Sequence, residues 1–427
     1  MDIDLAQLRK PCACGKTHEL VTEKILIERG AAEELTDILE NFQNPVFLCD
    51  SNTRAAAEPY LEEEFKDYPV IELKPKKLEV DNRGIRKVMK QLDYCDRGLS
   101  SVPVDVLVAI GSGTIHDLTR YAAKELDIPF ISIPTAASVD GYAANVISVI
   151  WNGVKKTLPG PAPRWILADT NIFARAPGWL TSSGAADLLC KYTALLDWRV
   201  SHLVTGEYIC EEVCGLIERA LREVERELDD IRSGDWDAIE KLMQALILCG
   251  LTMQMTDSPR PVSGAEHMAA YVWDMGVMPR EKKALHGEEA GVGLVLVTDY
   301  YKWLGHMIRH RRVRIKEDSA KKIEQELLEK TFPDPNVRGE ILAANNPNPL
   351  EAVDLKRFSD SLDEIAELIR DLPPDAEMQE KLRRAGAPAS LSEIGLSEDV
   401  QKQTLAVCSY VRPKMTLLRL SKLLEFL

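Results

Sequence analysis

Residues 104–143 read VDVLVAIGSGTIHDLTRYAAKELDIPFISIPTAASVDGYA, and this stretch decides the fold. Val104 to Ile110 is apolar but for Asp105, the pattern of a strand buried on both faces. Gly111-Ser112-Gly113 follows at once, a tight turn without bulky side chains where backbone N–H groups can approach an anion. Thr114 to Lys124 then sets Ile115, Leu118 and Ala122 on one helical face. Asp127-Ile128-Pro129 closes that helix, and Phe130 opens a second buried strand. The unit is β-α-β with a phosphate-sized notch at its first turn. His116 stands where the dinucleotide fingerprint GxGxxG has its third glycine, so two readings stay open: a cofactor notch, or a turn serving chain geometry alone.

A chain of 427 residues is long enough for two or more domains around a large core. Its net charge of −15 disfavours nucleic acid and anionic membranes, so an anionic substrate would need a local basic pocket. MDIDLAQLRK has no apolar signal region, and no stretch of ~18 apolar residues occurs, so a cytoplasmic chain without membrane insertion is expected. The nine cysteines are scattered and form no disulfide framework. Cys12-Ala-Cys14-Gly-Lys-Thr-His18 offers three zinc-type donors, one short of a closed structural site and without a second pair nearby, so no metal is expected there. Cys210 and Cys214 read as small core residues, and His18, His202, His306 and His310 as ordinary surface or core side chains.

Strands are expected at Lys24–Glu28, Val46–Asp50, Val70–Leu73, Val104–Ile110, Phe130–Pro134 and Trp165–Ala168, with helices such as Gly30–Asn41 and Arg83–Cys95 between them. Asn145–Trp151 and Val154–Leu158 flank Asn152-Gly153, a type I′ hairpin signal. After Ala176-Pro177-Gly178 the period turns helical, with helices expected at 182–203, 207–230, 236–257, 264–274, 285–310, 317–330, 355–371, 376–385, 398–411 and 414–425. Four prolines punctuate a connection over 332–350. The fold class is thus an α/β dinucleotide-binding domain with a mainly parallel sheet, 1–178, followed by an all-α domain, 179–427.

Asp187 lies in the small, apolar stretch SSGAADLLCKYTALL, where an acid is either paired, bound to a cation, or placed at a helix start. His267 closes SGAEH and His286 opens LHGEE. One carboxylate and two imidazoles leave a coordination place open, as a catalytic metal requires, but their spacings form no local motif.

GSGTIHD with PTAASVDG, joined by SSGAADLLCKYTALLDW, PVSGAEH and LHGEEAGVG, resembles the dehydroquinate synthase/iron-containing alcohol dehydrogenase superfamily. Within it the chain is most similar to the bacterial glycerol-1-phosphate dehydrogenases. The resemblance implies that Asp187, His267 and His286 are metal ligands. It also places Gly111, Ser112, Gly113, Thr114, Asp117, Thr135 and Ser138 at the cofactor. Arg120 stands where many members carry lysine. Asp140 falls near substrate and nicotinamide, and Lys191, within GxxDxxxKYTAxxDW, fits a role in holding phosphate, with Arg260 a weaker candidate. Asp50, ending VFLCD, is placed for the adenine ribose and would repel the extra phosphate of NADP, an argument blunted by nearby Arg54. The basic run His310–Arg314 reads as a solvated helix end.

The resemblance therefore implies interconversion of dihydroxyacetone phosphate and sn-glycerol 1-phosphate, with NAD or NADP and one divalent zinc or nickel ion. It further implies a homodimer and a role in supplying phospholipid precursors. The rivals on the same scaffold are a dehydroquinate-synthase-like cyclase, which usually has glutamate at the first metal position, a glycerol dehydrogenase, and a non-catalytic sensor.

Overall fold

A computed structural model describes residues 3–95, 102–277, 284–316 and 325–427. Contacts group the chain in two compact units, Met1–Leu188 with Gly215–Pro259, and Leu189–Cys214 with Arg260–Leu427. The units interleave along the sequence.

The first unit is built on β1 (Lys24–Glu28), β2 (Pro45–Asp50), β3 (Val70–Leu73), β4 (Val106–Gly111), β5 (Phe130–Pro134), β6 (Val146–Trp151), β7 (Val154–Pro159) and β8 (Trp165–Asp169). Six of these form one sheet in the order β1-β8-β5-β4-β2-β3, every pairing parallel. β4 is buried at every position, as a strand covered by helices on both faces must be. Val46, Leu48, Leu107 and Ala109 pack into one core with Ile115, Leu118 and Ala122 of the helix Gly113–Leu126. Phe47, Val106, Val108 and Ile110 point the other way, into a core with Leu35, Ala57 and Phe65. β4 begins two residues later than the apolar run implied. The Asp105 carboxylate accepts N–H bonds from Gln43 at 2.6 Å and Asn44 at 3.0 Å, just ahead of the β2–β4 ladder, whose register starts at Pro45 and Val106. β6 and β7 form a separate antiparallel pair. Asn152 and Gly153 both have positive φ, 52° and 83°, as a type I′ turn needs.

The second unit is mainly helical. Its longest helix, His286–Arg309, packs against Ala265–Val272, Leu362–Asp371 and Asp375–Arg384. Across the two units several expected helices are shorter or divided. The 182–203 helix is Gly178–Leu189 and Lys191–Thr205 with Cys190 between them, and 355–371 is Leu355–Asp360 and Leu362–Asp371. The 207–230 segment comprises Glu211–Arg226 and Leu228–Ser233. Of the 317–330 helix, 317–324 lie outside the described residues, and Gln325–Thr331 is helical.

Three expectations are corrected. The 332–350 connection contains the helix Pro335–Ala344, because Asp334 caps it (Asn336 N–H at 2.8 Å) and Pro335 occupies its first turn, where no N–H is missed. The end of the chain is helical over only part of 414–425, as the helix Leu417–Leu420 and a 3-10 turn at Ser421–Leu423. After Leu423 it becomes β10 (Leu424–Phe426), antiparallel to β9 (Val313–Ile315). Glu425 opposes Arg314 in register, and their side chains pair at 2.6 Å. The basic run is therefore in part a strand rather than a helix end, held by that cross-strand pair.

Candidate active site

β4 delivers Gly111 to the carboxyl edge of the parallel sheet, beside the reversal of strand order between β2 and β4. Ligands of open parallel sheets bind at such a reversal. A Cβ on Gly111 would lie 2.5 Å from Ile115, so packing alone already demands glycine there. Ser112 occupies the N-cap position of the helix Gly113–Leu126, yet its side chain makes no capping bond. Ser112, Gly113 and Thr114 are half-buried, and the first N–H groups of the helix present the donors that an anion takes. His116 bridges the turn. Its Nδ1–H donates to the Ser112 carbonyl at 3.0 Å, and Nε2 accepts from the Ser132 hydroxyl of β5 at 2.7 Å. Burial pushes this imidazole down to about 3, so it stays neutral. The residue that breaks the glycine fingerprint thus locks the turn to the neighbouring strand.

Asp50 closes β2 and caps the helix Ser51–Ala57, its Oδ1 accepting from Asn52 and Thr53 N–H at 2.8 and 3.1 Å while its own N–H donates to Thr53 Oγ1. Oδ2 takes no part in that cap. Arg54 pairs with Glu72 at 2.9 Å. Asp117 accepts from Arg120 at 2.5 Å and from the Ser148 N–H at 3.2 Å. Burial pushes it up to about 6 against the opposing pull of Arg120. Arg120 is wholly buried and also donates to the carbonyls of Gly141 and Val146. The pair braces the helix against β6 and the loop after β5, a role that the sequence did not reveal.

That loop carries the remaining residues of the first unit. Thr135 N–H donates to the Gly111 carbonyl at 3.0 Å. The Ser138 and Tyr142 hydroxyls are 3.0 Å apart, and Tyr142 donates to the Ala136 carbonyl. Asp140 N–H donates to Oδ2 of Asp187 at 3.1 Å, and Asp187 itself is wholly buried in the helix Gly178–Leu189.

In the second unit His267 and His286 face one another, with ring centroids 5.1 Å apart and planes tilted by 59°. His267 Nδ1–H donates to Glu266 Oε1 at 2.8 Å, which leaves Nε2 as its lone-pair donor. Glu266 is wholly buried and also accepts from Thr193 Oγ1–H at 2.7 Å and Gly264 N–H at 2.5 Å. Burial pushes its carboxyl up, but the bonds from His267, Thr193 and Gly264 outweigh that and hold it below the ordinary range. Asp197, the acid of YTALLDW, accepts from Tyr301 O–H at 2.7 Å and from the N–H groups of Leu417 and Ala265 at 2.8 Å. Burial, then Glu266, pushes it up to about 7. Sequence reasoning passed over Glu266 and Asp197, although both are acids within apolar stretches, the same signal that singled out Asp187. Lys191 is wholly buried as the first residue of its helix. Arg260 closes its guanidinium fork on Glu207, through Nε at 2.8 Å and through Nη2, so that carboxylate already occupies it.

Residues 26–177 match the family model described as iron-containing alcohol dehydrogenase. A glycerol-1-phosphate dehydrogenase [NAD(P)+] of Geobacillus stearothermophilus is 33% identical over 309 residues, 70% of this chain and 74% of that protein. A protein of the same description from Bacillus licheniformis is 31% identical over 420 residues, 96% of this chain and 91% of its own. The chain belongs to the glycerol-1-phosphate dehydrogenase family. Among solved structures, a probable glycerol dehydrogenase from Sinorhizobium meliloti superposes with a TM-score of 0.62, at 15% identity, over 94% of this chain and 95% of its own. That likeness supports the fold, a parallel-sheet part followed by a helical part. These relatives are named as NAD(P)+ enzymes, and the matching family is named for iron. No helix among the described residues is long and apolar enough to cross a membrane.

Proposed function

We propose that this protein is a metal-dependent, NAD(P)-linked oxidoreductase that interconverts dihydroxyacetone phosphate and sn-glycerol 1-phosphate. The observation that carries the proposal is likeness to a glycerol-1-phosphate dehydrogenase along nearly the whole chain. Asp187, His267 and His286 are the residues that would hold the metal, a donor set able to take one ion. The donors fit that role. A buried carboxylate in an apolar helix favours a cation, and Glu266 fixes His267 with Nε2 as donor. Three protein ligands leave a position for substrate, and the nitrogen-oxygen set suits zinc or nickel as well as iron. When bound, the metal supplies a Lewis acid to the substrate oxygen, and the nicotinamide carries the hydride.

The chain's own residues then divide the work. The amides at Gly111, Ser112, Gly113 and Thr114 receive the cofactor pyrophosphate, with Thr135 and Ser138 bonding the cofactor beside them. Asp50 bonds the adenine ribose through the oxygen outside its cap, and its charge favours NAD over NADP. Asp117 acts through Arg120 by bracing the cofactor helix. Asp140 orients the substrate hydroxyl, and Lys191 neutralises the phosphate, a role that Arg260, engaged by Glu207, fills less well. On this reading, 1–178 serve the cofactor and 179–427 the metal and substrate. A homodimer, a cytoplasmic location and supply of a phospholipid backbone belong to the same proposal, the first tested by sedimentation.

The decisive experiment is oxidation of NADH with dihydroxyacetone phosphate, followed by chiral identification of the product. sn-Glycerol 1-phosphate is the expected product. Turnover of glycerol but not of its phosphate would make the protein a glycerol dehydrogenase. Cofactor returned unchanged after a cyclisation would make it a synthase of the dehydroquinate type.

A further inference from the structure

The segment before β1 holds donors that the proposed chemistry does not use. Residues 3–20 contain only two buried side chains, His18 and Leu20, and the helix Leu5–Leu8 buries none. Apolar burial therefore does little to order it. Its backbone is nevertheless tightly turned. Cys12 N–H donates to the Lys16 carbonyl at 2.8 Å, and Gly15 N–H to the Cys12 carbonyl at 3.0 Å, with Gly15 at φ +84°.

The turn gathers three donors at one point. The ligand atoms of Cys12, Cys14 and His18 lie within 4.8 Å of one another. Cys14 Sγ is 3.7 Å from His18 Nε2. Tetrahedral coordination with a Zn–S bond near 2.3 Å and a Zn–N bond near 2.05 Å separates sulfur and nitrogen by ~3.6 Å, so this pair already stands at ligand spacing. The Cys14 N–H donates to Cys12 Sγ at 3.5 Å. His18 Nδ1–H donates to the Met255 carbonyl at 2.6 Å. That outer bond fixes the tautomer and leaves Nε2 for a metal, as the partners of ligating histidines do. Cys210, wholly buried, is the fourth member of the donor set.

We propose that Cys12, Cys14, His18 and Cys210 hold one structural zinc ion. Three sulfurs and one imidazole form a closed set with no position for substrate, and soft thiolates select zinc over the hard cations. Binding releases the thiol protons and orders the segment, because the ion supplies the free energy that its few buried side chains do not. The sequence left the motif one donor short because the fourth lies far along the chain.

The test uses the full-length protein. Zinc per chain is measured by mass spectrometry of the metal content in the wild type, Cys14→Ser, Cys210→Ser and His267→Ala. Each preparation is then refilled with Co²⁺ and scanned for thiolate-to-cobalt charge transfer in the near ultraviolet. The proposal expects Cys14→Ser and Cys210→Ser each to lose one equivalent of zinc and the thiolate band. His267→Ala keeps that band, because the Asp187-His267-His286 set contains no sulfur, so failure of the active-site reading cannot mimic failure here. A wild type without the thiolate band overturns the proposal, as does an unchanged zinc count in Cys14→Ser. A band that survives in Cys210→Ser overturns the closed four-ligand site.

Discussion

Replacing Gly184 by alanine tests how the helix carrying Asp187 is seated against the loop after β5. A Cβ at that position would lie 2.0 Å from the Ala137 carbonyl oxygen and 2.8 Å from its carbon. Carbon and oxygen approach to ~3.3 Å at closest, so loop or helix must retreat by more than ~1 Å. Rigid backbone on both sides makes this an overpacking of about 1–3 kcal/mol. The retreat also breaks the 3.1 Å bond from Asp140 N–H to Asp187, and a bond to a charged acceptor is worth about 1.5–3 kcal/mol. Alanine's better helix propensity returns about 1 kcal/mol. The expected net loss is about 1.5–5 kcal/mol, read by urea unfolding. On the proposed role of Thr135 and Ser138, NADH binding, followed by fluorescence, should weaken about tenfold, the equivalent of one hydrogen bond. Gly339→Ala is the control. Its Cβ would meet nothing within 4 Å in the helix Pro335–Ala344, so it should stabilise by about 0.5–1 kcal/mol. The reasoning fails if Gly184→Ala unfolds at the same urea concentration as the wild type and binds NADH equally well.

Glu266→Gln removes the charge that fixes His267, and metal affinity should fall ~10–100-fold in competition with a chromophoric chelator; unchanged affinity would remove Glu266 from the site's support. Arg120→Met strands the buried Asp117 carboxylate, and a loss of about 3–5 kcal/mol is expected by denaturant unfolding near neutral pH. That deficit should shrink toward pH 4, where Asp117, already pushed up to about 6, takes a proton; a deficit independent of pH would count against the pair. Asp197, raised to about 7, keeps a proton in the folded chain that the unfolded chain releases near its model value of 3.8. Its contribution is therefore full below pH ~4 and falls as pH rises to ~7, by up to about 4 kcal/mol. Asp197→Asn should be less stable throughout, since its amide would face the Ala265 N–H, but flatter over that pH range. Parallel wild-type and variant curves would show that the group does not titrate there.

The sequence alone determined the strands of the first unit, the hairpin turn and the glycine notch, because each is written in neighbouring residues. A run buried on both faces, an Asn-Gly pair and a strand-turn-helix spacing need no distant partner to be read. It also named Asp187, His267 and His286, but their spacings carried no local motif, and only resemblance assembled them. Local signals misled where their meaning depended on packing. Pro335 opens a helix because Asp334 caps it, and Leu424–Phe426 is a strand because β9 offers it an edge and Arg314. Tertiary structure alone decided that Glu266 orients His267, that Asp117 is braced by Arg120, and that His116 is a neutral clasp. Each depends on which polar groups meet once water is excluded. Burial makes those meetings obligatory, and neither periodicity nor propensity records them.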